Sequence, residues 1–444
     1  MNVMEKISPT EKLVSEFQKI KPSLKGFSSL RETAIAEFER HGIPNRKNEE
    51  WKYSDASALF KNGFQVQGTR PEISKKDIEK FIIPDLNAAL VVLVNGIYSE
   101  ELSFIEQLPK EVEIKSFSKG LTENSHILAN HFSKYADITG DAFAALNTAF
   151  SSDGVFIFVP DTIIVENPIH IINIISSTVL PFEEEDKEGL LIQPRFLFII
   201  GKNAEVKIVE SLDTLNPDAK TICNSVAEIS IGENAKVHYY KLQNDCESVH
   251  LISSVTAHQQ KKSHFDTNTV TLNGDWIRNN LTIILDGENC ESHLNGLFIT
   301  NGNHHVDNHT LVDHRKPNCQ SNQLYKGILD EKSTGIFNGK IFVRRDAQKT
   351  NAYQSSKNIL MSDDATINTK PQLEIYADDV KCSHGSTTGQ LNEEALFYLR
   401  SRGLSENTAK NLLLYAFAGD VIEKIQIEPL KIYLEALVNQ RLNK

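Results

Sequence analysis

The sequence predicts a mainly β protein, a parallel β-helix (solenoid) core flanked by N-terminal and C-terminal helical regions, and three observations lead there. After Gly154, for more than 200 residues, short runs rich in Val, Ile, Phe and Thr recur (VFIFV, IHIINII, RFLFII, KVHYYKL, NLTIIL, GKIFV), and helical patterns of ten or more residues are absent. Many of these runs meet at similar corners, Gly201-Lys202-Asn203-Ala204, Gly232-Glu233-Asn234-Ala235 and Gly287-Glu288-Asn289-Cys290, separated by 31 and 55 residues. Asp-rich corners follow at Asp330, Asp346, Asp363-Asp364 and Asp378-Asp379. Gly, Asn and Asp tolerate left-handed backbone angles, so a ragged repeat of such corners joined by alternating strands describes stacked turns. Both ends of the chain instead show helical spacing. This divides the sequence into a mainly helical region over 1–150, a β-helix core over 151–389 and a C-terminal helical domain over 390–444. A β-sandwich is the alternative reading of the same strands.

Composition bounds the function. The chain has 444 residues, 40% of them hydrophobic, enough for a large core. Its net charge of −12 argues against a nucleic-acid or anionic-membrane surface, and no run of about 18 apolar residues exists to span a bilayer. The start, MNVMEKISPTEK, lacks the apolar stretch of a secretory signal. Five cysteines without CxxC spacing fit free thiols in the cytoplasm better than a disulfide framework. The acidic run Glu183 to Glu188 reads as a solvated loop.

In chain order, Ser8-Pro9-Thr10-Glu11 has the form of a capping box opening a helix that carries Leu13, Phe17 and Ile20. Leu30, Ala34 and Phe38 mark a second helix that His41-Gly42 and Pro44 stop. NRKNEEWKYSD (45–55) mixes acidic, basic and aromatic side chains, either as a docking surface or as a segment whose Trp51 and Tyr53 pack on the helices. A buried strand at Leu90 to Val94 and a helix at 141–150 complete this region. In the core, Ile277, Leu281, Ile283 and Leu285 alternate with polar residues. In the tail, Asn392, Ser405 and Pro429 open three helices with more apolar surface than their mutual packing should consume, leaving some for a partner or for the N-terminal region.

Three constellations carry possible chemistry. His304, His305, His309, His314 and Cys319 suit zinc, iron or copper by residue type, and His305 and His309 should share a strand face, but the tight spacing of a strong metal motif is missing. The pairs Asp363-Asp364 and Asp378-Asp379 suit sugar hydrolysis if they occupy equivalent corners of adjacent strands, although aspartate also serves a tight turn for its own sake. Cys382 and His384, two apart, should lie on one strand face, where the imidazole would lower the thiol pKa; Gly385 should end the strand and leave room for an approaching group. Two side chains cannot complete a four-ligand site, so further ligands would come from a second chain. No Walker-type loop, dinucleotide fingerprint or Ser-His-Asp order is present.

KPQLEIYADDVKCSHGSTTGQL, EEALFYLRSRG and LLLYAFAGDVIEKI closely resemble the SufD branch of the SufB/SufD family of iron-sulfur cluster assembly scaffolds, and RKNEEWKYSD, HVDNHTLVDH and FNGKIFV fit the same family. The resemblance implies a non-enzymatic, cytoplasmic scaffold subunit with a β-helix core. Its implied partners are a SufB-type paralogue, in a heterodimer, and a SufC-type ABC ATPase bound through the C-terminal helical domain; whether the chain pairs with itself in their absence is left open, a homodimer being one option. It places His384 on the histidine implicated at the subunit interface, where a transient iron-sulfur cluster forms, and Cys382 on a nearby cysteine of lesser role. No tightly bound cofactor is expected. A polysaccharide-active β-helix enzyme using the paired aspartates, and a metal-storage protein using the histidine cluster, are the competing classes.

Overall fold

The computed structural model describes residues 7–61, 64–66, 71–176, 189–215, 220–245 and 248–443. The acidic run at 183–188, Cys246 and the first six residues lie outside them.

Each solenoid turn gives one strand to each of two sheets, of 11 and 10 strands among the described residues, and neighbours within the stack run parallel. The first sheet includes Thr221–Ile231, Val249–Gln259, Trp276–Leu285, His305–His314, Thr334–Val343 and Thr366–Ile375. The second includes Lys236–Asp245, His264–Thr271, Glu291–Thr300, Gln320–Leu329, Asn351–Leu360 and Lys381–Gly389. Inward-pointing side chains from both sheets, among them Ile229, Val237, Phe265, Ile283, Leu294 and Val312, form one continuous core. Period-two alternation puts Ile277, Ile283 and Leu285 inside, fully buried, as the strand pattern predicts.

The corners explain the ragged repeat. Asn203, Asn234, Lys262, Asn289, Asn318 and Lys349 all have positive φ, between 57° and 61°. The N–H of each donates to a carbonyl one turn on, those of Glu233, Lys261, Glu288, Pro317, Gln348 and Asp379, at 2.6–3.2 Å. The 55-residue gap in the Gly-Xaa-Asn pattern therefore holds one more corner, at Lys262 (φ 58°), where lysine occupies the left-handed position that asparagine fills elsewhere. A corner needs one residue in that conformation and a ladder of hydrogen bonds; it does not need glycine.

The N-terminal helices cover the outer face of the first sheet. Pro9–Ile20 starts with the predicted capping box, Ser8 Oγ accepting from the Glu11 N–H at 3.2 Å and the Glu11 carboxylate from the Ser8 N–H at 2.7 Å. Ser28–His41 ends at Gly42, whose φ of +66° glycine adopts without strain. Ala142–Phe150 is buried along its whole length, and its Asn147 amide donates to the Pro194 and Asn224 carbonyls at 2.9 and 2.7 Å. The strand Ala89–Val94 joins the second sheet beside Ile169–Ile175, so the sheets recruit strands from the first 150 residues.

At the other end, Glu406–Ile422 and Glu428–Leu442 cover the outer face of the second sheet. Leu414, Ala418, Val421, Leu430 and Leu434 pack against Tyr240, Leu242, Val270, Leu297 and Ile328. Most of the spare apolar surface of the tail is thus consumed by the solenoid's own flank, with Ile83 and Leu86 of the N-terminal region in the same cluster, while Phe397, Tyr398 and Leu412 stay exposed; each fully buried aliphatic side chain contributes about 1.5–3 kcal/mol. Lys326 fastens the helices by donating to the Phe417 carbonyl at 2.8 Å and pairing with Asp420.

The last turn differs from the rest. Thr366–Ile375 and Lys381–Gly389 are the terminal strands of their sheets, each with a stacked strand on one side only. Thr366–Ile375 runs through Pro371, where a break is expected; an edge strand tolerates the missing N–H that an interior strand would not.

Candidate functional site at the open end of the solenoid

Cys382 and His384 lie on the terminal strand Lys381–Gly389, in register with Ala352 and Gln354 of the preceding turn. Ala352, Gln354, Ser356 and Asn358 are the buried side chains of that turn, so Cys382 and His384 continue the inward-facing column and share one face, as their spacing predicts. No further turn stacks on them, which leaves Cys382 half-buried and His384 exposed. The strand does not end at Gly385: it continues to Gly389, because the turn beneath supplies its ladder partners irrespective of the glycine. A side chain at Gly385 would meet nothing within 4 Å, so the strand is also open on the face opposite His384.

The thiol does not behave as expected. Burial pushes the Cys382 pKa up, a hydrogen bond with the Ala352 backbone opposes this, and His384 does not contribute. Cys382 therefore belongs more to the small apolar cluster with Val343, Ala347, Ala352 and Ala377 than to a charged site. The exposed imidazole is the available ligand or proton acceptor. Among the described residues, no group of three ligating side chains converges on Cys382 and His384. Gln354, one turn below His384, went unremarked in the sequence; it is buried, yet neither its amide oxygen nor its nitrogen has a hydrogen-bond partner. Only the length of one turn, 30 residues, connects the two positions in sequence.

The other constellations separate. The histidine cluster does not converge: His305 and His309 share the outer face of their strand, while His314 points into the core, where its ring lies 2.9 Å from Ser321 Oγ. His305 and His309 seat the 45–55 segment on the first sheet. Ser54 Oγ bonds the His305 ring at 2.8 Å and donates to Asp307 at 2.5 Å, and Glu50 lies 3.6 Å from His309. Arg278 pairs with Asp307 at 2.9 Å and lies 3.8 Å from the centre of the Trp51 ring, which also packs on Phe143. Burial raises the Asp307 pKa, but His309 and Arg278 outweigh it and hold the carboxylate well below its usual range. The segment is thus an intramolecular docking surface. Cys319 is buried at a corner, its thiol donating to the Gly287 carbonyl at 3.2 Å.

The aspartate pairs occupy opposite corners, at the two ends of Thr366–Ile375. Ten extended residues span roughly 30 Å, far beyond the ~5–10 Å that glycoside hydrolysis requires. None of the four lines the cleft of about 1010 Å³ between the 45–55 segment, residues 134–144 and the first sheet.

Fold and site together define a β-solenoid protein, clad in helices on both flanks and open at its last turn, where a histidine is exposed beside an unpaired sheet edge. The description "SUF system FeS cluster assembly, SufBD core domain" matches residues 182–417, and "SufBD protein N-terminal region" matches 14–171. The chain is 33% identical to an iron-sulfur cluster assembly SufBD family protein of Synechocystis, covering 90% of this chain and 87% of that one. It is 31% identical to the iron-sulfur cluster assembly protein SufD of Escherichia coli (91% and 90% covered), and 29% identical to the chloroplastic protein ABCI7 of Arabidopsis thaliana (86% and 79%). The chain belongs to the SufBD family of the SUF iron-sulfur cluster assembly system. No helix among the described residues is long and apolar enough to cross a membrane.

Proposed function

We propose that this protein is a non-enzymatic, cytoplasmic scaffold subunit for iron-sulfur cluster assembly that works with a SufB-type paralogue and a SufC-type ABC ATPase. The observation that carries the reading is the open last turn: two sheets end there, one of them on the strand that carries the exposed His384, with too few ligands beside it among the described residues to complete a site. Unpaired edges offer rows of N–H and C=O groups to a second solenoid, and such pairing would place a partner's ligands opposite His384. Without the paralogue, the same edges suit a homodimer. The nascent cluster is cargo here: His384 supplies an imidazole nitrogen to iron or accepts a proton, and Cys382 lines the site without being its nucleophile. The ATPase would bind the C-terminal helices, whose outer surface exposes Phe397, Tyr398 and Leu412.

The test is anaerobic reconstitution of His384→Ala and Cys382→Ala with both partners, followed by visible absorption. His384→Ala should leave folding and the complex intact and abolish cluster formation; Cys382→Ala should do less harm. Normal assembly by His384→Ala, or loss of the complex itself, would overturn the assignment.

A further inference from the structure

Five ionisable side chains from three successive turns meet on the outer face of the second sheet, away from the inward-facing His384. His238 is on Lys236–Asp245, His264 and Asp266 are on His264–Thr271, and Glu291 and His293 are on Glu291–Thr300. Register stacks them: His238 opposes Asp266, which opposes His293, and His264 opposes Glu291. His264 Nε2 lies 2.9 Å from Asp266 Oδ1, His238 Nδ1 lies 3.1 Å from Asp266 Oδ2, and His293 Nε2 lies 2.8 Å from Glu291 Oε1. The second oxygen of Glu291 is 3.7 Å from His264 Nδ1. One ligand atom each from His264, Asp266 and His293 fall within 4.8 Å of one another.

From this geometry we propose that His264, Asp266 and His293 form a divalent transition-metal site of the two-histidine, one-carboxylate type, with Glu291 as a fourth or supporting ligand.

Donor atoms about 2.1 Å from a metal sit roughly 3–3.5 Å apart, so small side-chain rotations close the triad on an ion. Imidazole and carboxylate donors select borderline ions such as Fe²⁺, Co²⁺, Ni²⁺ and Zn²⁺ over the oxygen-seeking Mg²⁺ and Ca²⁺. Two carboxylates, Asp266 and Glu291, face the site, with the Lys236 ammonium at the rim opposite His264; His264 would release its proton on binding an ion. Asp266 holds an imidazole on each oxygen, His264 on Oδ1 and His238 on Oδ2. His238, almost wholly buried, orients Asp266 as an outer-shell partner orients a ligand. The three strands are rigid parts of one parallel ladder, and the side chains of His264 and His293 remain partly open to solvent, which gives an ion access.

The experiment uses the untagged full-length chain, stripped with chelator and titrated with Co²⁺, whose visible bands report coordination, and with Zn²⁺ by equilibrium dialysis. One equivalent should bind, with Co²⁺ bands of a nitrogen and oxygen site. Glu291→Gln should weaken binding by about 10–100-fold, the usual effect of losing a supporting group, and His293→Ala or Asp266→Asn by more. His258→Ala, on the other sheet, should bind as the parent does. Because Asp266→Asn removes the anchor of two histidines and can disturb the strand, the more exposed His293→Gln serves as the second variant, with circular dichroism to confirm the fold. Absence of binding to the parent, or binding that His293→Ala and His293→Gln leave unchanged, would overturn the site.

Discussion

Glu228 joins the N-terminal region to the solenoid, and its removal tests how the two are held. Its carboxylate is fully buried on the first sheet, paired with the equally buried Arg195. It also accepts the backbone N–H groups of Ser133, Tyr135 and Ala136 at 2.8, 2.8 and 2.9 Å, and so pins a loop in which Ser133 takes a left-handed φ of 55°. Breaking a buried pair by deleting one partner costs about 3–5 kcal/mol, and each N–H left buried without an acceptor adds about 1–3 kcal/mol. Arg195 retains Asn147 Oδ1 at 3.2 Å, Thr148 Oγ1 at 3.1 Å and the Phe132 ring at 4.8 Å, and the loop can turn its N–H groups to water. With the N–H groups rehydrated, Glu228→Ala is therefore expected to cost what the broken pair costs, about 4 kcal/mol. Glu228→Gln should lose about 2 kcal/mol, since its amide oxygen can still serve Tyr135 and Ala136 while its NH₂ faces Arg195 and the Ser133 N–H. Guanidinium unfolding followed by far-ultraviolet circular dichroism measures the loss, and amide exchange at Ser133, Tyr135 and Ala136 localises it. The double variant Arg195→Met with Glu228→Leu should recover most of the stability, because an apolar pair does not leave a buried charge uncompensated. A loss below about 1 kcal/mol in Glu228→Ala, or unchanged exchange in the loop, would refute the reasoning.

Two further outcomes follow from the geometry. Burial brings the His314 pKa down to about 4, so the unfolded chain, with its ordinary value of 6.5, binds the proton more readily; stability is complete above pH 6.5 and falls as pH drops toward 4, by roughly 3 kcal/mol from this group. His314→Gln should flatten the fall in unfolding midpoint between pH 6.5 and 4, and an unchanged slope would show that His314 is not its source. Phe397 and Tyr398, 75% and 57% exposed on the helix Glu393–Ser401, should anchor the ATPase. Their joint change to serine should leave thermal unfolding of the chain unaltered and reduce ATPase pull-down more than tenfold, whereas undiminished pull-down would move the docking surface elsewhere.

Local physics made much of this protein legible in its sequence. The Ser8–Glu11 capping box, the stop at Gly42, the alternation of Ile277 to Leu285 and the shared face of Cys382 and His384 all depend on neighbours a few residues away, which the sequence displays directly. The solenoid itself followed from corners whose asparagines announce the left-handed backbone. What lay one turn away was hidden. Lysine fills a corner at Lys262 because the ladder above and below enforces the angle, and Gly385 stays in a strand because Ser355 lies beside it in register. The same distance separates His264 from His293 and Gln354 from His384, pairs that only stacking brings together. Tertiary structure also decided the electrostatics: Cys382 is governed by the burial its turn imposes and not by the histidine two residues on, and the two aspartate pairs are parted by a whole strand. Sequence spacing reports contacts within a strand or a helical turn; in a solenoid, chemistry assembles across turns, at separations set by loop length, and only the folded stack sets those.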